Sequence, residues 1–227
     1  MDAGGFAKPA FDVGFATNDI EGHRAFWGET VGLAYDHMAK LGGGFQQHRW
    51  RLGDSIVKVN HTRAPLGETP AGGYRGLVIG GASRASAAVL ATPDGVPVRL
   101  EPSTETDLTL DVVARDLDAF ARFYGEALGL IADGPRAFRL GRSRIVATLG
   151  APPRIDGWRE RGLRYMTVQI FDCDAATAAL AGKGVEVGMA PKTVGQVRYS
   201  FVRDGDGNWI ELSERASLTG RPVPGAA

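Results

Sequence analysis

The sequence predicts an α+β chain built from tandem βαβββ units arranged as two homologous domains, and three observations carry that prediction. The first is an internal duplication: Arg-Ala-Phe-Trp-Gly-Glu-Thr-Val-Gly-Leu at 24–33 returns as Ala-Arg-Phe-Tyr-Gly-Glu-Ala-Leu-Gly-Leu at 121–130. The second is that the flanks recur in the same order. Arg-Leu-Gly at 51–53 is answered at 139–141, and Thr-Pro-Asp-Gly-Val-Pro-Val-Arg-Leu at 92–100 by Arg-Asp-Gly-Asp-Gly-Asn-Trp-Ile-Glu-Leu at 203–212. The third is that strand-like alternation dominates and helical spacing is confined to a few short stretches. Repeats this long are whole folding units rather than solenoid repeats. The domains are expected at 11–103 and 104–215, with a flexible tail at 216–227.

Residues 11–17 alternate large apolar side chains with small or polar ones, as a half-buried strand does, and Phe11, Val13 and Phe15 share one face. Asn18 or Asp19 can cap a helix over 20–32, where Ile20, Phe26, Trp27 and Val31 fall near helical spacing and Gly32 ends the run. Strands at 34–40, 45–52 and 55–60 follow, separated by the Gly42-Gly43-Gly44 and Gly53-Asp54 turns. A Pro- and Gly-rich loop over 62–73 leads to a shortened unit with a strand at 75–80, a brief helical stretch around 83–90 and a closing strand at 96–101. The second domain repeats the pattern more fully. Its strands fall at 107–114, 131–134, 136–140, 144–149, 163–170, 185–188, 196–203 and 208–213, with helices at 116–128 and 174–182. The Pro152-Pro153 and Gly157 stretch links its two units.

Composition narrows the function classes. Lys+Arg and Asp+Glu are both 26, so there is no excess positive field for nucleic acid or an anionic membrane. No apolar run reaches the ~20 residues that span a bilayer, and Met1–Ala10 lacks the pattern of a secretory signal. Cys173 is the single cysteine, which precludes an intrachain disulfide and a thiolate zinc cluster, and a cytoplasmic location is expected. Its acidic neighbours Asp172 and Asp174 oppose thiolate formation, so it reads as a packing residue at a helix start. Asp204-Gly-Asp206-Gly-Asn208 opens like a calcium loop but has Trp209 and Arg215 at the sixth and twelfth positions; it reads as a strand-entry turn.

Asp-Ile-Glu-Gly-His-Arg-Ala-Phe-Trp-Gly-Glu-Thr-Val-Gly-Leu (19–33), Asp-Leu-Asp-Ala-Phe-Ala-Arg-Phe-Tyr-Gly-Glu-Ala-Leu-Gly-Leu (116–130) and Asp-Gly-Asn-Trp-Ile-Glu-Leu (206–212) resemble the vicinal oxygen chelate superfamily. That superfamily includes glyoxalase I, bleomycin and fosfomycin resistance proteins and extradiol dioxygenases. The resemblance spans about 11–101 and 107–215 and implies that each pair of units curls its sheet into an open cup. It also implies a divalent metal (Fe, Mn, Zn or Ni) held by His or Gln in first strands and Glu in a last strand; for this chain no cofactor is expected beyond a possible divalent metal (Fe, Mn, Zn or Mg). Carried onto this chain, those positions are Thr109, Tyr165 and Glu211 in the second domain and Asp12, Gly76 and Arg99 in the first. Only the glutamate is retained. The four histidines, His23, His37, His48 and His61, lie in the first half without ligand spacing; His23 is expected on an exposed helix face and His61 in a loop.

Strand alternation assigns the cup linings. The second cup is expected to present Thr109, Asp111, Tyr165, Thr167, Gln169, Trp209, Glu211 and Ser213, and the first Asp12, Gly14, Ala16, Gly76, Val78, Gly80, Pro97, Arg99 and Glu101. An Asp12–Arg99 pair is expected to be structural, with Arg99 also able to bind a substrate carboxylate. The leading expectation is an acid–base isomerase or lyase acting on a small aromatic or dicarbonyl-like molecule. In it Glu211, Tyr165 and Asp111 are catalytic, Thr109, Thr167, Gln169, Trp209, Ser213 and Arg99 bind substrate, and the metal site is degenerate. Desolvation and Asp111 are expected to raise the proton affinity of Glu211. A non-catalytic binding protein and a metal-dependent dioxygenase remain open, and a wet polar face without function is the plain alternative. Expected partners are a small molecule and at most a second copy in a homodimer.

Overall fold

The computed structural model describes residues 5–82 and 86–226. Unit one comprises β1 (Phe6–Thr17), α1 (Ile20–Arg24), β2 (Ala34–Gly42), β3 (Phe45–Leu52) and β4 (Ser55–His61). Unit two is β5 (Tyr74–Ala82), β6 (Ala88–Ala91) and β7 (Pro97–Pro102). Unit three is β8 (Leu108–Ala114), α2 (Leu117–Ala121), β9 (Ile131–Ala132), β10 (Ala137–Leu140) and β11 (Ser143–Leu149). Unit four is β12 (Gly162–Ile170), α3 (Cys173–Gly182), β13 (Glu186–Val194), β14 (Val197–Arg203) and β15 (Trp209–Arg215), followed by α4 (Ala216–Thr219).

The repeat seen in the sequence recurs bond for bond in its two helices. Asp19 and Asp116 cap them by accepting from Gly22 N and Ala119 N, both at 2.9 Å. Both helices then widen into π-type turns, Ala25–Thr30 and Arg122–Ala127. There Val31 N donates to Phe26 O and Leu128 N to Phe123 O, each at 2.8 Å. Gly32 and Gly129 end them at φ 83° and 85°, a left-handed backbone that glycine adopts without strain.

Within every unit the first and last strands pair in parallel: β1 with β4, β5 with β7, β8 with β11, β12 with β15. First strands then pair antiparallel with one another across units, which joins four units into two curled sheets. The joining is interleaved. One sheet has the order β13-β14-β15-β12-β1-β4-β3-β2 and the other β6-β7-β5-β8-β11-β10-β9. Units one and four therefore share a cup, as do units two and three, whereas the sequence reading put sequential units together. The physical reason lies in the connections. Only residues 103–107 separate β7 from β8, a link short enough to bring β8 directly against β5. The longer 62–73 and 150–161 segments cross between the sheets.

Alternation places Phe11, Val13, Phe15, Val57, Val59, Met166, Val168, Ile210 and Leu212 on the convex side, where they join Trp27, Tyr124 and the second sheet's Leu77, Leu110 and Ile145 in one core. Burying each such side chain stabilises the fold by about 1.5–3 kcal/mol. Three local expectations are corrected. The helical stretch placed at 83–90 is a strand over Ala88–Ala91, while 83–85 lie outside the described residues. The tail packs rather than staying loose: Val223 is buried, and Thr193 Oγ1 donates to Pro224 O at 2.5 Å. His23 is buried under α1 against Phe15, with Trp27 Nε1 donating to its Nδ1 at 3.0 Å and its Nε2 facing Asp94 Oδ2 at 2.7 Å. Among the described residues, no helix is long and apolar enough to cross a membrane.

Candidate ligand site

The concave face of the sheet shared by units one and four holds a buried charge network. Register sets it: Asp12 on β1 lies opposite Thr167 on β12, Thr167 opposite Glu211 on β15, and Gly14 opposite both Lys58 on β4 and Tyr165 on β12. Lys58, fully buried, donates from Nζ to Glu211 Oε2 at 2.9 Å and to Thr167 Oγ1 at 2.8 Å, with Asp12 Oδ2 at 3.7 Å. Thr167 Oγ1 in turn donates a hydrogen bond to Glu211 Oε2 at 2.6 Å. Asp12 also accepts from Lys8 Nζ at 2.5 Å, Ile56 N at 2.9 Å and Gln169 Nε2 at 3.0 Å.

These contacts decide the protonation states. Burial alone pushes both carboxyls up, but Lys58 together with the hydrogen bonds outweighs it and holds Asp12 and Glu211 below the ordinary carboxylate range. Burial also pulls the Lys58 ammonium down to about 8, against the opposing pull of Glu211 and Asp12. The expectation that Glu211 would have a raised proton affinity is therefore overturned, because it faces an ammonium instead of Asp111.

Beside this network lies a cavity of 140 Å³, lined by Trp158, Tyr165, Tyr199 and Phe201, with Gln47 and Glu211 at its base and Lys40, Arg159 and Arg215 around it. The 150–161 linker contributes one wall, since Trp158 stacks on Phe201 at 4.6 Å and meets Tyr165 edge-on at 5.8 Å. The Tyr165 hydroxyl accepts from Asn60 Nδ2 at 2.9 Å and from Gln47 Nε2 at 3.5 Å, and burial followed by the nearby Glu211 raises its pKa well above the ordinary value. Its ring lies over the β1 backbone, and that is possible only because residue 14 is glycine; a Cβ there would fall inside the ring.

Of the residues singled out from the sequence, Tyr165, Thr167, Gln169, Trp209, Glu211 and Ser213 share this face. Thr109, Asp111 and Arg99 do not join them: they lie in the other sheet, on β8 and β7. There Asp111 is half-buried and its pKa is raised, by burial first and by Glu101, against Arg99. Arg99 pairs with Glu101 at 2.9 Å rather than with Asp12. The sequence reading missed Lys58, Gln47, Arg49 and Asn60 on β3 and β4, and Trp158 on the linker. The alternation of Val57-Lys58-Val59-Asn60 was a usable signal, since it points Lys58 and Asn60 to the same side as Gly14.

The residues present do not fit the superfamily's metal. Where two carboxylates approach each other, an ammonium already sits in contact with one of them, and the other inward groups are a hydroxyl and an amide, so a divalent ion would meet a cation at the centre of the cup. Among the described residues no group of three or more His, Cys, Asp or Glu side chains could hold a metal. Three of the histidines have hydrogen-bond partners of their own: His23 has Trp27 and Asp94, His37 has Asp36, and His48 Nδ1 has Tyr35.

The Glyoxalase/Bleomycin resistance protein/Dioxygenase superfamily profile matches residues 108–212. A search of curated proteins gives no significant match. Among solved structures, glyoxalase I from Zea mays aligns with a TM-score of 0.67 at 13% identity, covering 89% of this chain and 91% of that one. A putative dioxygenase from Bacillus subtilis aligns with a TM-score of 0.65 at 10% identity, covering 92% and 86%. At these identities the structural likeness is one of fold. The family's sequence pattern thus covers residues 108–212, and the two-sheet fold is similar to that of glyoxalase I along the length of the chain.

Proposed function

We propose that this protein holds a small ring-bearing organic molecule in the cup formed by units one and four, beside the buried Lys58–Glu211 pair. The observation that carries the reading is the aromatic cavity set against a polar base: 140 Å³ walled by Trp158, Tyr165, Tyr199 and Phe201, with Glu211 below. A dry cavity of about 150 Å³ takes up benzene, so the space suits one aromatic ring. Glu211 Oε2 is committed to Lys58 and Thr167, and the other carboxylate oxygen remains to accept a hydrogen bond from the ligand. Phenol and catechol, titrated while tryptophan fluorescence is followed, test this. Binding that is abolished by Trp158→Ala supports the reading, and no binding of any single-ring probe up to its solubility overturns it.

A second reading, proton-transfer catalysis, is favoured by one observation. Lys58, held near 8, touches Glu211 and Thr167, so a proton can be exchanged along this chain within the range in which enzymes work. Enolisable ring ketones incubated in buffered D2O would take up deuterium faster with the protein than without it. If Glu211→Gln does not slow that uptake by about 100-fold, the acid–base role fails.

A further inference from the structure

The charges facing this cup do not balance. Lys58, Arg49 and Arg215 interact with one another and with Glu211, while the carboxylates of the network are Asp12 and Glu211 alone. The Arg49 guanidinium is pulled down by burial first and by Arg215 second. Arg49 has some relief from Asp36 at 3.8 Å. Arg215 is attracted by Glu211, but among the described residues it forms no salt bridge, and its Nε is buried without a hydrogen-bond partner. Arg159 likewise has no acidic partner among the described residues. Its guanidinium lies over the rings of Trp158 at 4.5 Å and Phe45 at 5.0 Å, which orients it at the edge of the same aromatic wall. Both arginines line the cavity.

Resting on the ring-binding reading above, we infer that the ligand is an aromatic carboxylate or a comparable single-ring anion, its ring among Trp158, Tyr199 and Phe201 and its anionic group held by Arg215 and Arg159. A guanidinium offers a planar pair of N–H donors matched to a carboxylate, which a lone ammonium does not. Leaving a half-buried guanidinium without a partner costs free energy that an incoming anion returns. The neutral ring alone gains only the wall contacts, so charge, rather than size, sets the selectivity of the site.

The test compares benzoate with benzamide, which has the same shape and no charge, by calorimetric titration of the full chain. Benzoate is expected to bind at least about tenfold tighter than benzamide, as charge-assisted bonds to arginine imply. Arg215→Gln is expected to erase most of that gap while leaving benzamide binding intact. Because a glutamine at this position also changes the local packing, the wild type supplies a second measurement: raising the ionic strength should weaken benzoate and leave benzamide unchanged. Equal binding of the two probes, or a benzoate preference that survives both Arg215→Gln and Arg159→Gln, overturns the anion assignment and leaves the ring site standing. Failure of both probes to bind overturns the ring site along with it.

Discussion

Replacing Lys58 with methionine keeps an unbranched side chain of similar reach and removes the charge that touches Glu211 and lies close to Asp12. Glu211 would keep the Thr167 bond at 2.6 Å and Asp12 would keep Lys8 at 2.5 Å, but the cation in contact with the first and near the second would be gone. Removing one partner of a buried pair costs about 3–5 kcal/mol, and the bonds that survive here place the expected loss near the lower end, about 3 kcal/mol at neutral pH. The pH dependence is more telling than the magnitude. In the folded protein the ammonium titrates at about 8 against an ordinary 10.5. Between those values the unfolded chain binds the proton and the folded chain does not, so this group adds stability as pH rises through the window, by about 1.4 kcal/mol per unit. Below pH 8 both states carry the proton and the contribution is constant. The carboxylates have the opposite limit. In the wild type, Asp12 and Glu211 titrate below their ordinary values, so the stability they give is present above those values and is lost as pH falls through the folded ones. In the variant, burial no longer faces the ammonium, both carboxyls take up protons earlier, and the folded variant gains relative to the wild type in acid. The gap between the two proteins should therefore widen steadily with pH. Urea denaturation of both at about pH 5, 7 and 9 measures it, and a cycle with Glu211→Gln should return a coupling of about 2 kcal/mol or more. A variant as stable as the wild type near neutrality, or a gap that narrows as pH rises, would refute the network.

Three further outcomes are expected. Gly14→Ala places a methyl group inside the Tyr165 ring, so it should cost about 1–3 kcal/mol by overpacking and abolish ring-probe binding together with it; a thermal melt and the fluorescence titration check both. Dialysis against a strong chelator should leave the melting temperature within about 1 °C of its starting value, because a stabilising ion would contribute through its binding free energy; a larger fall would show a metal that the donor set does not account for. Cys173, buried and with its thiol pushed up to about 11 by burial, should react with thiol reagents only as fast as the protein opens, so labelling at the rate of an exposed cysteine would contradict its placement.

Most of the secondary structure was legible because it rests on local chemistry. The strand at 45–52 is observed as Phe45–Leu52, and the helices read at 20–32 and 116–128 are observed with their π-type extensions, since alternation, aspartate caps and terminal glycines all act within a few residues. The face that each cup residue uses was legible for the same reason. Tyr165, Thr167, Gln169, Glu211 and Ser213 do line one concave surface, as period-two alternation requires. The identity of their companions was not. It depends on which first strand lies beside β12, and alternation within a strand carries no information about its neighbour across the sheet. Comparing the two halves as if each were a closed unit therefore assigned Thr109 and Asp111 to the wrong companions and left Lys58 unnoticed. Trp158 escaped for a different reason: a single aromatic in a Pro-rich linker has no periodicity to read, and its role comes entirely from stacking on Phe201.

The interleaved pairing changes what the duplication means for function. Lys58 and Glu211 are 153 positions apart, and each reaches the centre of the cup from the last strand of its own unit. One end of the chain thus supplies the ammonium and the other the carboxylate, and neither half contains a complete network. A residue that would be a liability alone, a fully buried lysine, is tolerated because the opposite end delivers Glu211 and Thr167 to it, while Asp12 comes from its own unit. Units two and three, joined by the short 103–107 link, are free of that requirement, and their cup shows the difference: Arg99 pairs along its own strand with Glu101, and the Asp111 carboxyl is pushed up by burial against the pull of Arg99. The two cups share one backbone plan, and differences at a handful of inward positions leave one of them with a buried charge beside an aromatic cavity and the other with a half-exposed polar face.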